Sequence, residues 1–102
     1  MQKIENLVQF KRLCFEKNIS YEVVKHSFHP EYAGQKRIVT YADSDCFYSG
    51  ILGEPEHFVS KCNGGKGILM RFGKSKDWKF YDNGIISISY LGNHVMDIRL
   101  LD

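Results

Sequence analysis

Cysteine and long apolar runs are both scarce in this sequence of 102 residues. The three cysteines, Cys14, Cys46 and Cys62, are an odd number, unlike the paired set of a small secreted scaffold. We therefore expect reduced thiols and a cytoplasmic location. No apolar run approaches the ~20 residues of a membrane-spanning helix, and Met1 leads into an amphipathic segment rather than a signal peptide. The sequence thus predicts a soluble, intracellular protein.

The motifs that would indicate a cofactor or metal are also missing. In the Gly-rich stretch 63–67, Lys66 is followed by Gly67 and an apolar strand, whereas a phosphate loop needs Ser or Thr and then a helix. Candidate zinc ligands form two loose pairs, His26 with His29 and His57 with Cys62, but no C-x2-C spacing accompanies them. We predict that the protein holds no cofactor and no metal.

The strongest positive signal is the alternation of apolar and polar residues between Trp78 and Leu101. Two glycine-marked turns, 82–84 and 91–93, divide this region into three short runs. Period-two alternation around such turns is typical of β-hairpins. The pattern predicts a three-stranded meander, with His94 on the same face as the inward residues Ile86, Ile88, Met96 and Ile98.

Residues before the meander predict one helix and further short strands. An amphipathic helix is expected over 4–17, and its apolar stripe consists of Ile4, Leu7, Val8, Cys14 and Phe15, widened by Phe10 and Leu13. Strands are expected at 20–26, 36–41, 46–52 and 67–72, a loop at 30–35, and a short helix or loop after Gly53. Since no βαβ crossover is visible, we expect a single α+β domain over 1–102, with the helix packed on a mostly antiparallel sheet.

Charge is distributed in two blocks although the net charge is only +2. The acidic block, within 43–56, consists of Asp43, Asp45, Glu54 and Glu56. The basic segment 61–79 contains the candidate binding residues Lys66, Arg71, Lys74, Lys76 and Lys79. Such neighbouring blocks concern association rather than fold, so both are candidate binding surfaces.

One stretch carries a resemblance to a known class of protein. The string from Gly73 to Gly84, followed by Ile86-Ser87-Ile88, resembles a tail of small accessory proteins of bacteriophages and mobile elements. Those proteins also open with a helix and contain an Arg-x-Val strand, which Arg37-Ile38-Val39 matches. The resemblance implies a protein-binding role against a host or defence system, including inhibition of CRISPR nucleases, and it brings no catalytic residues.

Three functional hypotheses follow. The first is a non-enzymatic module that occupies the surface of a host protein, where the acidic block could present carboxylates in place of phosphates. The second is a nucleic-acid-binding module, because Phe72, Trp78 and Phe80 are interleaved with the cations of 61–79. The third is a small cysteine-dependent enzyme using Cys62 and His57. No convergent acid, base and nucleophile favours an enzyme, and the oligomeric state is open.

Overall fold

The computed structural model describes residues 4–16, 19–53, 67–73 and 75–101. Within these residues the chain forms the helix α1 (Leu7–Glu16), a 3₁₀ turn (Pro30–Tyr32) and seven strands. The strands are β1 (Ser20–His26), β2 (Lys36–Ala42), β3 (Cys46–Ile51), β4 (Ile68–Arg71), β5 (Lys76–Phe80), β6 (Ile85–Tyr90) and β7 (Asn93–Leu101). The short helix or loop predicted after Gly53 lies outside the described residues.

The predicted order of a helix followed by strands is confirmed, and the protein has an α+β fold. Several bounds differ from those predicted, and β5 and segment 30–35 are two examples. β5 begins at Lys76 rather than at Trp78, because Lys76 and Asp77 already pair with β6. Segment 30–35, predicted as a loop, contains the 3₁₀ turn, in which Pro30 sets the backbone angle and its carbonyl accepts the Ala33 N–H at 3.1 Å.

The strands of the described residues form one antiparallel sheet in the order β4-β3-β2-β1-β7-β6-β5. The predicted meander is its β5-β6-β7 part. β7 returns to pair with β1, so that Tyr21 lies opposite Leu100 and Val23 opposite Ile98. β1 is therefore the central strand of the sheet. β2, β3 and β4 follow on one side of it, and β7, β6 and β5 follow on the other.

The sheet is strongly curled. A flat sheet with this strand order would place β4 and β5 roughly 29 Å apart, since neighbouring strands are about 4.8 Å apart. In the structure a short turn joins these two strands, and the Lys76 N–H donates to the Gly73 carbonyl at 3.0 Å. The ring centroids of Phe72, directly after β4, and Trp78, in β5, are 5.9 Å apart. The two edges of the sheet are therefore drawn together around a concave interior.

Helix α1 contributes the side chain that fills the space between these edges. The ring centroid of Phe10 lies 5.6 Å from that of Phe47, 6.4 Å from Phe72 and 5.3 Å from Trp78. We call these four rings the aromatic cluster. Phe10 and Cys14 are fully buried, so the helix packs along the line through these two residues.

The predicted apolar stripe of the helix is wrong at two positions. Val8 and Phe15 remain 66% and 48% exposed, although the sequence analysis placed them on the buried side. At about 100° per residue they lie roughly 140–160° around the helix from Phe10. The apolar residues of α1 therefore form two faces, an inner one through Phe10 and an outer one through Val8 and Phe15.

The predicted core of the meander is confirmed. Ile86, Ile88, Met96 and Ile98 are all buried. Ile86 pairs with Ile98 across β6 and β7, and Ile88 pairs with Met96. Cross-strand apolar pairs of this kind stabilise a sheet and fix its register.

Replacing Ile88 tests this core. We expect Ile88→Ala to lower the free energy of unfolding by about 2–5 kcal/mol, because the change removes buried methyl groups and leaves a cavity. Urea titration followed by circular dichroism measures the change. Leu69→Ala is the control, since Leu69 on β4 is 39% exposed and should cost much less. Equal losses in the two variants would contradict the assigned register.

Candidate functional site

Two residues of the acidic block, Asp43 and Asp45, lie in the turn between β2 and β3. Asp43 has a structural role there. Its carboxylate accepts hydrogen bonds from the Tyr41 hydroxyl (2.7 Å) and from the backbone N–H groups of Asp45 (2.8 Å) and Cys46 (3.0 Å). These bonds, that of Tyr41 first, lower the pKa of Asp43 to about 2. Asp43 therefore stabilises its own turn, while the neighbouring Asp45 is exposed.

The described part of the basic segment is divided between the two edges of the sheet. Arg71 ends β4 and is exposed, as is Lys79 on β5. Lys76 is half-buried, and its Nζ lies 4.5 Å from the centroid of the Tyr90 ring in a cation–π contact. The other candidate binding residues, Glu54, Glu56, Lys66 and Lys74, lie outside the described residues, as do His57 and Cys62.

The aromatic residues of the basic segment face the interior. Phe72 is buried, and both Trp78 and Phe80 pack against the core. A surface that stacks nucleic-acid bases needs exposed rings. These three rings instead fill the curled sheet, so they do not form the stacking surface that the nucleic-acid hypothesis requires.

The outer face of α1 is an apolar surface with two cations. Val8, Lys11, Arg12 and Phe15 line an open groove of about 280 Å³, and we call these four residues the α1 outer face. The Lys11 Nζ lies 5.1 Å from the centroid of the Phe72 ring, which holds this ammonium group beside the groove. The apolar pattern of the helix does not predict this surface, because it places Val8 and Phe15 on the buried side.

A polar cluster lies in the interior, around the buried side chain of Arg37 on β2. Its guanidinium donates from Nε to the Ser49 hydroxyl (3.2 Å), from Nη2 to the Ser49 carbonyl (2.9 Å) and from Nη1 to Gln35 Oε1 (2.7 Å). The Tyr21 hydroxyl shares a hydrogen bond of 2.6 Å with the same Ser49 hydroxyl. Burial lowers the pKa of Arg37 and raises that of Tyr21. The cluster ties β1, β2 and β3 together.

A second polar cluster, which the sequence pattern does not predict, lies on the outer face of the β1–β7 pair. The His94 Nε2 is 2.8 Å from Asp97 Oδ1, and the His94 Nδ1 is hydrogen-bonded to the Ser27 hydroxyl. Ser27 is exposed, while His94 and Asp97 are half-buried. We call this hydrogen-bonded chain the Ser27 cluster.

Two irregularities in the sheet assemble the Ser27 cluster. The register of β6 with β7 shifts so that Ser89 faces His94 and Val95 is skipped, while β1 with β7 skips Val24. Each skipped residue is a bulge that reverses the in–out alternation beyond it. His94, predicted to share a face with Met96, therefore lies on the outer face with Asp97. No residue type in the sequence signals these bulges.

The neighbouring His26 is held in the fold by its own loop. Its Nδ1 accepts the backbone N–H groups of Phe28 (3.2 Å) and His29 (2.9 Å). Burial, with a smaller contribution from the neighbouring His29, lowers the pKa of His26. A neutral imidazole with Nδ1 as acceptor is the form that fits these contacts, so His26 closes the turn after β1.

The chain matches no protein-family model, no curated protein and no solved structure. Within the described ranges, no group of three or more His, Cys, Asp or Glu side chains is arranged to hold a metal ion. None of the described helices is long and apolar enough to cross a membrane.

Acid titration tests the role of Asp43. Because its folded-state pKa of about 2 lies below the ~4 of an unfolded aspartate, ionised Asp43 stabilises the fold above pH ~4. This contribution is lost as the pH falls toward the folded-state value. Asp43→Asn keeps an acceptor oxygen but does not titrate. We expect the stability difference between wild type and variant to shrink between pH ~4 and pH ~2, as measured by urea titration.

Asp45→Asn, a change in the same turn, is the matched control for this experiment. Between pH ~4 and pH ~2, the free energy of unfolding of Asp45→Asn should follow that of the wild type more closely. A wild-type advantage over Asp43→Asn that stays constant through this pH range would show that the Asp43 carboxylate does not stabilise the turn as an anion.

Alkylation tests the burial of Cys14. Burial raises the pKa of this thiol to about 12, so the reactive thiolate is suppressed while the protein is folded. We expect Cys14 to stay unmodified by iodoacetamide near pH 8 in the native protein and to react in urea. Peptide mass spectrometry locates the modification. Rapid labelling of Cys14 without denaturant would mean that α1 detaches from the sheet.

Proposed function

We propose that this protein is a non-enzymatic binding module and that its α1 outer face docks on a partner protein. The observation that carries the proposal is the exposure of Val8 and Phe15 beside Lys11 and Arg12. Complete burial of a large apolar side chain contributes about 1.5–3 kcal/mol. Aromatic and Arg side chains are also enriched where proteins meet. Phe15 is therefore the expected anchor of the contact.

The open shape of the groove favours a protein over a small molecule. Pockets for small ligands enclose about 300–1,000 Å³ and bury most of the ligand. The groove of the α1 outer face is about 280 Å³ and open. These dimensions suit one large side chain projecting from a partner.

Charge complementarity defines the chemistry of that partner. Lys11 and Arg12 line the groove together with two apolar side chains. A partner segment with an apolar residue flanked by carboxylates would fill the groove and pair with both cations. The partner is therefore proposed to be a protein that presents an acidic, apolar segment, rather than one with a basic channel.

The resemblance to small accessory proteins of bacteriophages and mobile elements supports a host protein as that partner. Occupation of the partner's surface would then be the mode of action, and a defence nuclease would be one candidate. The acidic block contributes less to this proposal, because Asp43 already bonds within its own turn. The nucleic-acid hypothesis is weakened by the inward packing of Phe72, Trp78 and Phe80.

Comparative capture from a bacterial lysate tests the proposal. Wild-type protein and the variants Phe15→Ala and Phe28→Ala serve as baits, followed by mass spectrometry. Phe28 is the matched control, since it is 61% exposed but follows β1 and does not line the groove of the α1 outer face. We expect the partner to be retained by wild type and Phe28→Ala and lost by Phe15→Ala. With the purified partner, calorimetry should show Phe15→Ala weakening binding about tenfold or more, which corresponds to ~1.4 kcal/mol.

Two outcomes would contradict the proposal. The first is a partner that Phe15→Ala and Phe28→Ala retain equally. The second is micromolar or tighter binding of single-stranded DNA or RNA at ~0.15 M salt, where exposed charges are only partly screened. If Lys76→Gln with Lys79→Gln abolished such binding and Phe15→Ala did not, the nucleic-acid hypothesis would replace it.

A further inference from the structure

Unlike the α1 outer face, the Ser27 cluster consists of polar side chains that are hydrogen-bonded to one another. Ser27 directly follows β1, and its backbone N–H donates to the Val95 carbonyl at 2.8 Å. This bond holds the serine beside β7, where its exposed hydroxyl is bonded to the His94 Nδ1. A serine, a histidine and an aspartate are thus joined in series on one surface.

The charge on Asp97 determines where the protons lie. Burial by itself raises the pKa of Asp97, but hydrogen bonds from His94 and Ser87 bring it below its ordinary value. The cation of Lys25, opposite Asp97 in the β1–β7 register, acts in the same direction. An ionised carboxylate only accepts hydrogen bonds, so the His94 Nε2 carries the proton toward Asp97. In the neutral imidazole with this tautomer, the His94 Nδ1 is the acceptor for the Ser27 hydroxyl proton.

An activated serine is hydrogen-bonded to a base, and a third group orients that base. Ser27, His94 and Asp97 have this arrangement. We propose that Ser27 is an acceptor site for acyl groups, which it takes from activated esters with His94 as general base. The Ser27 Oγ forms a bond to the ester carbonyl carbon while its proton passes to the His94 Nδ1. The bond from that carbon to the leaving-group oxygen then breaks, and the leaving group takes the proton from His94. The products are acyl-Ser27 and a neutral alcohol, with no net oxidation or reduction.

The backbone around Ser27 limits this chemistry to a slow, single acylation. The Ser27 N–H is bonded to the Val95 carbonyl, and the N–H groups of Phe28 and His29 are bonded to the His26 Nδ1. These three donors already have acceptors in the fold and do not form an oxyanion hole. The loss of one such donor costs enzymes about 10²–10³ in rate. The acyl group should therefore persist on Ser27, which is consistent with a modification site on a binding protein.

Acetylation by p-nitrophenyl acetate tests the site in the full-length protein. Peptide mass spectrometry locates and times each acetyl group, and acetylation of surface lysines is the internal reference. We expect Ser27 to be acetylated and Ser27→Ala to lose that adduct. His94→Gln should slow the reaction about 100-fold or more, as expected when a general base is removed. Ser44→Ala, a change at an exposed serine outside the cluster, should leave the rate at Ser27 unaltered.

A separate pair of variants tests Asp97, which acts through His94 as a positioning residue. Asp97→Asn should slow acetylation of Ser27, and Asp97→Glu should restore part of the rate by returning the negative charge. Circular dichroism verifies that each variant is folded, and if His94→Gln is not, the Asp97 pair decides. The proposal is overturned if Ser27 reacts no faster than Ser44, or if folded His94→Gln or Asp97→Asn protein reacts at the wild-type rate.

Discussion

The fold depends on the aromatic cluster that holds the two edges of the sheet together. Its four rings come from α1, β3, the β4–β5 turn and β5, and neighbouring centroids lie between 5.3 and 6.4 Å apart. Tilted and edge-on contacts at these separations each add about 0.5–1.5 kcal/mol beyond the buried area. Because Phe10 contacts both Phe72 and Trp78, the helix and the curl of the sheet stabilise each other.

This constraint also decides which residues remain for function. Phe72, Trp78 and Phe80 pack in the interior of the curled sheet. They are the rings that the sequence pattern made candidates for nucleic-acid stacking. Arg37, the largest polar side chain inside, is engaged by Ser49 and Gln35 and serves the β1–β2–β3 part of the sheet. Among the surfaces described, the proposed recognition and the proposed chemistry thus fall on the outer sides of the two layers. One is the α1 outer face, and the other is the Ser27 cluster on β1 and β7.

Neither surface could be derived from the periodicity of the sequence. In α1, apolar residues occupy both sides, and a hydrophobic pattern alone does not say which side meets the sheet. Phe10 and Cys14 are buried because Phe10 fits between the sheet edges, and this leaves Val8 and Phe15 outside. In β7, alternation places His94 inward, whereas the bulge at Val95 turns it outward toward Asp97. The number of acidic residues in 43–56 likewise does not show that the Asp43 carboxylate accepts hydrogen bonds within its own turn.

By itself the sequence determined the elements that depend on local chemistry: the α1 helix, the strands and turns of the meander, and the inward line of Ile86, Ile88, Met96 and Ile98. Such features follow from spacing and turn residues within a few positions of one another. Tertiary structure alone decided the pairing of β7 with β1, the curl that joins β4 to β5, and the two bulges. The reason is that these features depend on packing between residues that are distant in the sequence, such as Phe10 and Trp78. A pattern within a few neighbouring residues does not contain that information.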